Sequence, residues 1–248
     1  MSNVILLPTY NERENLPHVT ERIFKILPEV RLLVVDDNSP DGTGEVVEAL
    51  RERFPGLICL HRQGPRGYGP ATIDGFRWAL AEGAQKVIQM DADLSHPPEV
   101  LPKLLEMSER FDLVLGSRYV AGGGTPDWPL RRRLLSRAAN FYARNLLGLK
   151  VRDVTTGFRC FSRQALEQID FQNLRSKGYG FLVEFIYRVS KLGFTIGEVP
   201  ILFKDRTQGQ SKMGLHIAWE GAVNVLKMRV RAEPKPLVYT EDYIKPHQ

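Results

Sequence analysis

The residues best suited to chemistry stand at the ends of apolar runs. Asp91-Ala92-Asp93 directly follows the run 86–90, and strand alternation sends its two carboxylates to the same side of the chain, where they can share one hard cation. Oxygen donors of this kind suit Mg2+ or Mn2+ better than zinc. Such an ion keeps waters and bridges to substrate phosphates, which points to a nucleoside-diphosphate ligand. Turns use aspartate constantly, so the triplet taken alone is more simply a capping device. A second acidic group, Asp36-Asp37-Asn38-Ser39 with Asp41, follows the run 31–35, where a carboxylate can accept hydrogen bonds from a base or a ribose. Opposite in sign is Arg131-Arg132-Arg133 with Arg137 and Arg144, interleaved with Trp128, Phe141 and Tyr142. A basic run is either a solvated helix face or a clamp for phosphate.

These groups need a scaffold. Apolar, β-rich runs at 4–7, 31–35, 57–60, 86–90 and 112–115 alternate with helix-period segments at 16–27, 43–54, 71–82 and 98–110. That alternation predicts right-handed βαβ units, hence an α/β domain with a mainly parallel central sheet flanked by helices. Ligands bind at the carboxyl ends of such strands. There the chain carries Pro8-Thr9-Tyr10-Asn11-Glu12, the two acidic groups and Gly116-Ser117-Arg118, which converge on one crevice. After Gly122-Gly123-Gly124 the alternation breaks. A basic amphipathic helix is expected over 130–147, a strand over 155–161, a helix over 181–191 and a strand over 195–202. A polar loop and a last helix follow, giving a single catalytic domain over 1–233 and an irregular tail over 234–248.

Composition narrows the class. A chain of 248 residues with 43% hydrophobic and 25% charged residues, 21 Gly and 16 Pro, is neither collagen-like nor disordered. The net charge of +5 suits a nucleic acid, an anionic membrane or a phosphorylated small molecule. A non-catalytic basic module on RNA or membrane would explain the charge but not the acidic strand ends, which repel a polyanion, so no nucleic-acid partner is expected. The longest uncharged stretch is residues 1–11, whereas a span needs about 20 apolar residues. Neither a transmembrane helix nor a secretory signal is expected, and the expected compartment is the cytoplasm. Cys59 and Cys160 lack metal-ligand spacing and read as inert core residues; the five histidines show no paired spacing and read as caps, surface or supporting residues. Gly67-x-Gly69 lacks the third glycine of a dinucleotide fingerprint, which argues against a dehydrogenase.

Six motifs occur in order: residues 7–12, 36–43, 90–98, Gly116-Ser117-Arg118-Tyr119, Thr156-Gly157-Phe158-Arg159, and 206–212. In them the chain resembles the family 2 glycosyltransferases of the GT-A fold, and within these the polyprenol-phosphate (dolichol-phosphate) mannose synthases of the type without a transmembrane tail. The resemblance implies a Rossmann-like nucleotide-sugar-binding domain that moves mannose from GDP-mannose to a polyprenyl (dolichyl) phosphate with Mg2+ or Mn2+. A polyprenyl-phosphate glucose synthase using UDP-glucose is the alternative. By the same resemblance Pro8, Tyr10, Glu12, Val35 and Asp37 would hold the nucleoside, and Asp91, Ala92 and Asp93 would meet the diphosphate and metal. Asp93 would be the main metal ligand, with Asp91 and Ser95 beside it. Arg118, Arg206 and Lys212 would contact donor phosphates or acceptor, the last two from a small polar loop suited to a closing lid.

An acceptor phosphate is already anionic near neutral pH, so it can attack the anomeric carbon without a general base, in a direct inverting displacement. Orientation then carries the catalysis, and Arg118, Arg132 and Ser136 are the natural clamp. A polyprenyl chain sits in a bilayer. The expected place of action is therefore the cytoplasmic face of a membrane, reached through Arg131, Arg132 and Arg133 with Trp128 and Leu130 on an anionic surface, or through a membrane-anchoring subunit.

Overall fold

The computed structural model describes residues 3–174, 176, 178–204 and 215–230. The first two apolar runs become strands buried on both faces, as inner parallel strands are: Val4 to Leu7 and Leu32 to Val35 are all fully buried. Among the described residues the strands are β1 (Asn3–Thr9), β2 (Arg31–Asp36), β3 (Leu57–His61), β4 (Lys86–Gln89), β5 (Leu113–Ser117), β6 (Arg159–Ser162) and β7 (Ile196–Pro200). They form one sheet in the order β3-β2-β1-β4-β6-β5-β7. β1 to β4 run parallel, as the alternation predicts. β6 enters antiparallel between β4 and β5, and β7 runs parallel to β5. The sequence reading places that strand from 155; it begins at Arg159 because residues before it turn, with Thr156 Oγ1 accepting the Phe158 N–H at 3.2 Å.

Period-two alternation divides the core into two layers. Val4, Leu6, Leu33 and Val35 face α3 (Tyr68–Ala81), α5 (Leu130–Leu147), α6 (Arg163–Glu167), α7 (Gly178–Lys191) and α8 (Leu215–Val230). Ile5, Leu7, Leu32 and Val34 face α1 (Leu16–Ile26), α2 (Thr43–Arg51) and α4 (Leu101–Met107). Helix α5 occupies the predicted 130–147. α3 starts at Tyr68 rather than 71, because Pro70 falls in the first turn, where a missing N–H leaves no intrahelical bond unmade.

The sheet brings the chemistry to one edge through its turns. Asn11, Asn38 and Leu94, just beyond β1, β2 and β4, all adopt left-handed backbone with φ of +60°, +56° and +62°. Asparagine tolerates that conformation; a leucine does so only under constraint from its surroundings. Among the described residues no helix is long and apolar enough to cross a membrane.

Candidate functional site

At the ends of β1 and β2, Pro8 pairs in register with Val35, and both are buried as the wall of the crevice. Asp37, one residue past β2, is 5% exposed. Its Oδ1 accepts from the Arg62 guanidinium, and its Oδ2 accepts the Gly67 N–H at 2.6 Å. Arg62 is shared with Asp74 at 2.7 Å. Tyr10 stands at the exposed rim, where Arg66 lies over its ring and donates to its hydroxyl at 3.1 Å. The Glu12 N–H donates to Thr43 Oγ1 at 3.0 Å, and its carboxylate accepts from Asn15 at 2.7 Å.

The triplet after β4 is held from several sides. Asp93 is buried, and its Oδ1 accepts both the N–H of Ser95 at 3.0 Å and its hydroxyl at 2.6 Å. Ser95 is thus placed as the donor that fixes Asp93. Ala92, between Asp91 and Asp93 in the chain, is buried. Asp91 accepts from the Tyr68 hydroxyl at 3.1 Å, and that hydroxyl accepts from Gln89 at 2.8 Å. Burial first, and the neighbouring Asp91 second, push the Tyr68 phenol well above its ordinary value, so it stays a donor. The Asp91 N–H donates to His96 Nδ1 at 3.0 Å, which fixes the neutral ring with its proton on Nε2. Burial lowers the His96 pKa and keeps the ring uncharged, against the opposing pull of Asp91 and Asp93. Gly157 closes this group: a Cβ there would stand 2.8 Å from the Tyr68 hydroxyl and 3.4 Å from Asp91 Oδ1. Tyr68, Gln89 and Gly157 are supporting residues that sequence reasoning did not select, although Gly157 falls inside a motif already noticed; His96 takes the supporting role that was one of the readings of the histidines.

A basic pocket lies across an aromatic wall. The His96 ring stacks on Phe158 at 5.1 Å and meets Phe203 edge-on at 5.5 Å; Phe203 in turn meets Trp128 at 5.5 Å. Arg118 packs over both Trp128 and Phe203, and Arg132 lies over Trp128 at 3.9 Å. Trp128 is 5% exposed. It therefore corrects the expectation of a surface anchor: it is the plate on which two arginines rest. Arg118 is 8% exposed and forks onto Asp153, with Nε to Oδ2 at 2.8 Å and Nη2 to Oδ1 at 2.7 Å. Burial alone would raise the Asp153 carboxyl. The Arg118 charge and the hydrogen bonds from Arg118 and Thr155 outweigh it and hold the group below its usual range.

Beside this pair opens a cavity of about 460 Å³ lined by Arg118, Tyr119, Arg137, Asn140, Arg144 and Arg152, among others. Ser136 is buried behind it and accepts the Tyr119 hydroxyl at 2.6 Å. Arg137 and Arg144, two helical turns apart on α5, were visible only as part of a basic run; Arg152 carried no signal. Arg206, Lys212 and the loop between them lie outside the described residues. Cys160 is buried and its thiol pushed up to about 12 by burial, as an inert core residue would be.

Residues 4–170 match the model of glycosyl transferase family 2. The chain is 44% identical to the undecaprenyl-phosphate mannosyltransferase of Micrococcus luteus over 94% of its length and 96% of that protein. It is 45% identical to the polyprenol monophosphomannose synthase of Mycolicibacterium smegmatis over 85% of its length and 80% of that protein. Among solved structures it is similar to glucosyl-3-phosphoglycerate synthase from Mycobacterium tuberculosis in complex with Mn2+, uridine diphosphate and phosphoglyceric acid. The TM-score is 0.67 at 18% identity, covering 92% of this chain and 78% of that one. The same enzyme with Mg2+ and uridine diphosphate gives a TM-score of 0.64 at 20% identity, with 92% and 79% covered. The fold is that of the GT-A glycosyltransferases.

Proposed function

The chain belongs to glycosyl transferase family 2 and is a glycosyltransferase, and on that premise we propose that it moves mannose from GDP-mannose to a polyprenyl (dolichyl) phosphate by direct displacement with inversion at the anomeric carbon. The observation that carries this reading is the pairing of an acidic crevice at the ends of β1, β2 and β4 with an arginine-lined pocket, joined through His96, Phe203 and Trp128. Two anionic substrates that must react with each other need such a division. The leaving diphosphate wants a cation held by carboxylates, and the attacking phosphate wants fixed guanidinium groups.

Asp91 and Asp93 offer oxygen donors at one strand end, while the adjacent imidazole nitrogen is taken by the Asp91 amide. This donor set fits Mg2+ or Mn2+. When bound, the ion supplies neutralisation of charge developing on the leaving diphosphate. Ser95 holds Asp93 in place for it, and Tyr68 does the same for Asp91. On the donor side Pro8 and Val35 flank the base, Asp37 accepts from its polar edge, and Tyr10 and Glu12 close the nucleoside pocket. Arg118, Arg137, Arg144 and Arg152 receive the acceptor phosphate. Arg132, resting on Trp128, and Ser136, through Tyr119, orient that group. Arg206 and Lys212 belong to the same reading as closing contacts on the phosphates.

The isoprenoid portion would approach along α5, whose Leu130, Leu134, Leu135 and Phe141 are exposed beside Arg131 and Arg133, with Leu226 and Val230 of α8 nearby. This supports a peripheral protein on the cytoplasmic face of an anionic membrane, held by that surface or by a membrane-anchoring subunit. The deciding experiment offers labelled GDP-mannose or UDP-glucose with a polyprenyl phosphate in micelles, in Mg2+, Mn2+ or chelator. Metal-dependent transfer of mannose into the organic phase is expected. Preference for UDP-glucose, full transfer in excess chelator, or no lipid product would overturn the reading.

A further inference from the structure

At the outer end of the strand edge that carries the crevice, on the face of the sheet covered by α1 and α2, a second cavity of about 360 Å³ is lined by Asp36, Asn38, Ser39, Gly44, Glu48 and His61, among others. Cys59-x-His61 is no metal signature in sequence, but alternation along β3 puts both side chains on one side, and Asp36 pairs with His61 in the β2–β3 register. Gly44 and Glu48, one helical turn apart on α2, lie over the same spot. His61 Nε2 is 3.3 Å from Glu48 Oε1, and His61 Nδ1 is 3.9 Å from Cys59 Sγ. One ligand atom from each of the three residues lies within 4.8 Å of the others. Tetrahedral zinc, with bonds of about 2.0–2.3 Å to nitrogen, oxygen and sulfur, sets its ligand atoms about 3.3–3.6 Å apart. A shared ion needs one ring nitrogen of His61 to face both Cys59 and Glu48, so the half-exposed His61 and Glu48 side chains must turn toward a common point, while Arg51 keeps the other oxygen of Glu48 at 2.6 Å.

Two further observations concern the neighbouring residues Asp36 and Gly44, which line the same cavity. Asp36 is 4% exposed, and its Oδ1 is buried with no hydrogen-bond partner; only its Oδ2 is engaged, accepting the Ser39 N–H at 3.3 Å. A buried carboxylate oxygen left unpaired is costly, and a cation beside it removes the cost. The missing side chain of Gly44 leaves a gap whose edges are His61 Nδ1, 3.0 Å from where a Cβ would stand, and Asp36 Oδ2, 3.4 Å from it.

We propose that Cys59, His61 and Glu48 bind a divalent cation of the zinc class, with the Asp36 carboxylate as a nearby counter-charge, at a site separate from Asp91 and Asp93. The two sites differ in ligand softness. Sulfur and imidazole select zinc or cobalt, whereas the triplet after β4 is all oxygen and suits magnesium or manganese.

The test titrates metal-free, full-length protein under reducing conditions with Co2+ and follows the absorption of a thiolate-to-cobalt band, then displaces it with Zn2+. One equivalent is expected to give the band, and Zn2+ to abolish it. Cys59→Ser should remove the band, and His61→Ala should weaken binding at least about tenfold. Gly44→Ala should keep the fold, because its Cβ crowds only the half-exposed His61 ring, 2.7 Å away and able to swing aside, and stands at ordinary contact distance, 3.4 Å, from Asp36 Oδ2; it should lose the metal by filling the gap. Asp93→Asn should keep the band. No band in the wild type, a band that survives Cys59→Ser, loss of the band in Asp93→Asn, or wild-type affinity in a folded Gly44→Ala would each overturn the proposal.

Discussion

Replacing Asp153 by asparagine should destabilise the protein severely, although the side chain's shape barely changes. Asp153 is fully buried, Arg118 nearly so, and the carboxylate takes the Arg118 Nε, Nη2 and backbone N–H at 2.7–2.9 Å. An amide retains one acceptor oxygen but no charge, so the guanidinium stays buried without its counter-ion. Breaking a buried pair in this one-sided way costs about 3–5 kcal/mol. For a domain of this size each kcal/mol lowers the melting temperature by about 2–4 °C, so a fall of about 6–20 °C is expected. Denaturant titration of wild type and Asp153→Asn at pH 7 measures it. The pH dependence adds a second check. Arg118 holds the Asp153 carboxyl below its ordinary value of 3.8, so its contribution is complete above that value and is lost as pH falls through the lowered one. The difference between the two proteins should therefore be flat from pH 5 to 8, as estimated from the ordinary carboxylate range, and narrow in stronger acid. The double variant Arg118→Met/Asp153→Leu, which removes both charges, should recover more than half of the loss. A single-variant loss below about 1 kcal/mol, or simple additivity in the double variant, would refute the reasoning.

Three other outcomes follow from the site. Asp93→Asn should fold normally yet lower metal-dependent transfer at least about 100-fold, because a neutral amide cannot balance a divalent ion beside a diphosphate; full activity in excess chelator contradicts this. Arg132→Ala and Arg144→Ala should each raise the KM for polyprenyl phosphate about tenfold while calorimetry gives GDP-mannose affinity within about threefold of wild type; equal losses on both substrates would move these arginines to the donor side. The protein should float with anionic vesicles at low salt and not with neutral ones. Each basic residue contributes about 1 kcal/mol near such a surface, so Arg131→Glu/Arg133→Glu should abolish flotation. If the wild type ignores anionic vesicles yet glycosylates a micellar acceptor, recruitment rests on another protein.

The first half of the fold was legible because its information is local. Apolar runs of four or five residues separated by helix-period segments leave little choice but parallel βαβ units, and β2 and β3 fall within one residue of where the runs end. Helix α5 was readable for the same reason, from its own periodicity. The antiparallel insertion of β6 was not, because nothing within Arg159–Ser162 tells that it will separate β4 from β5. The candidate site divides similarly. The acidic strand ends announce themselves by position, whereas the Tyr68 contact to Asp91 spans 23 residues of sequence and the Asp153 contact to Arg118 spans 35. Trp128 misled for a related reason: an aromatic beside arginines suits a membrane interface and a buried cation–π plate equally well, and only packing separates them.

The supporting residues explain why the crevice tolerates an unfavourable backbone. Leu94 sits between Asp93 and Ser95 at φ +62°, a conformation that costs a side chain of this size about 1–3 kcal/mol. The two Ser95 hydrogen bonds to Asp93 Oδ1 offset that strain, and they exist only because the left-handed turn folds Ser95 back over the carboxylate. On the other side, the same loop brings His96 under the Asp91 amide, where the ring must remain neutral to accept its proton. Phe158 and Phe203 supply the dry surroundings that keep it so. The aromatic wall between the acidic and basic halves therefore does two things at once: it holds the ring that fixes the triplet's backbone, and it keeps a positive charge from forming on that ring beside the Asp91 and Asp93 carboxylates.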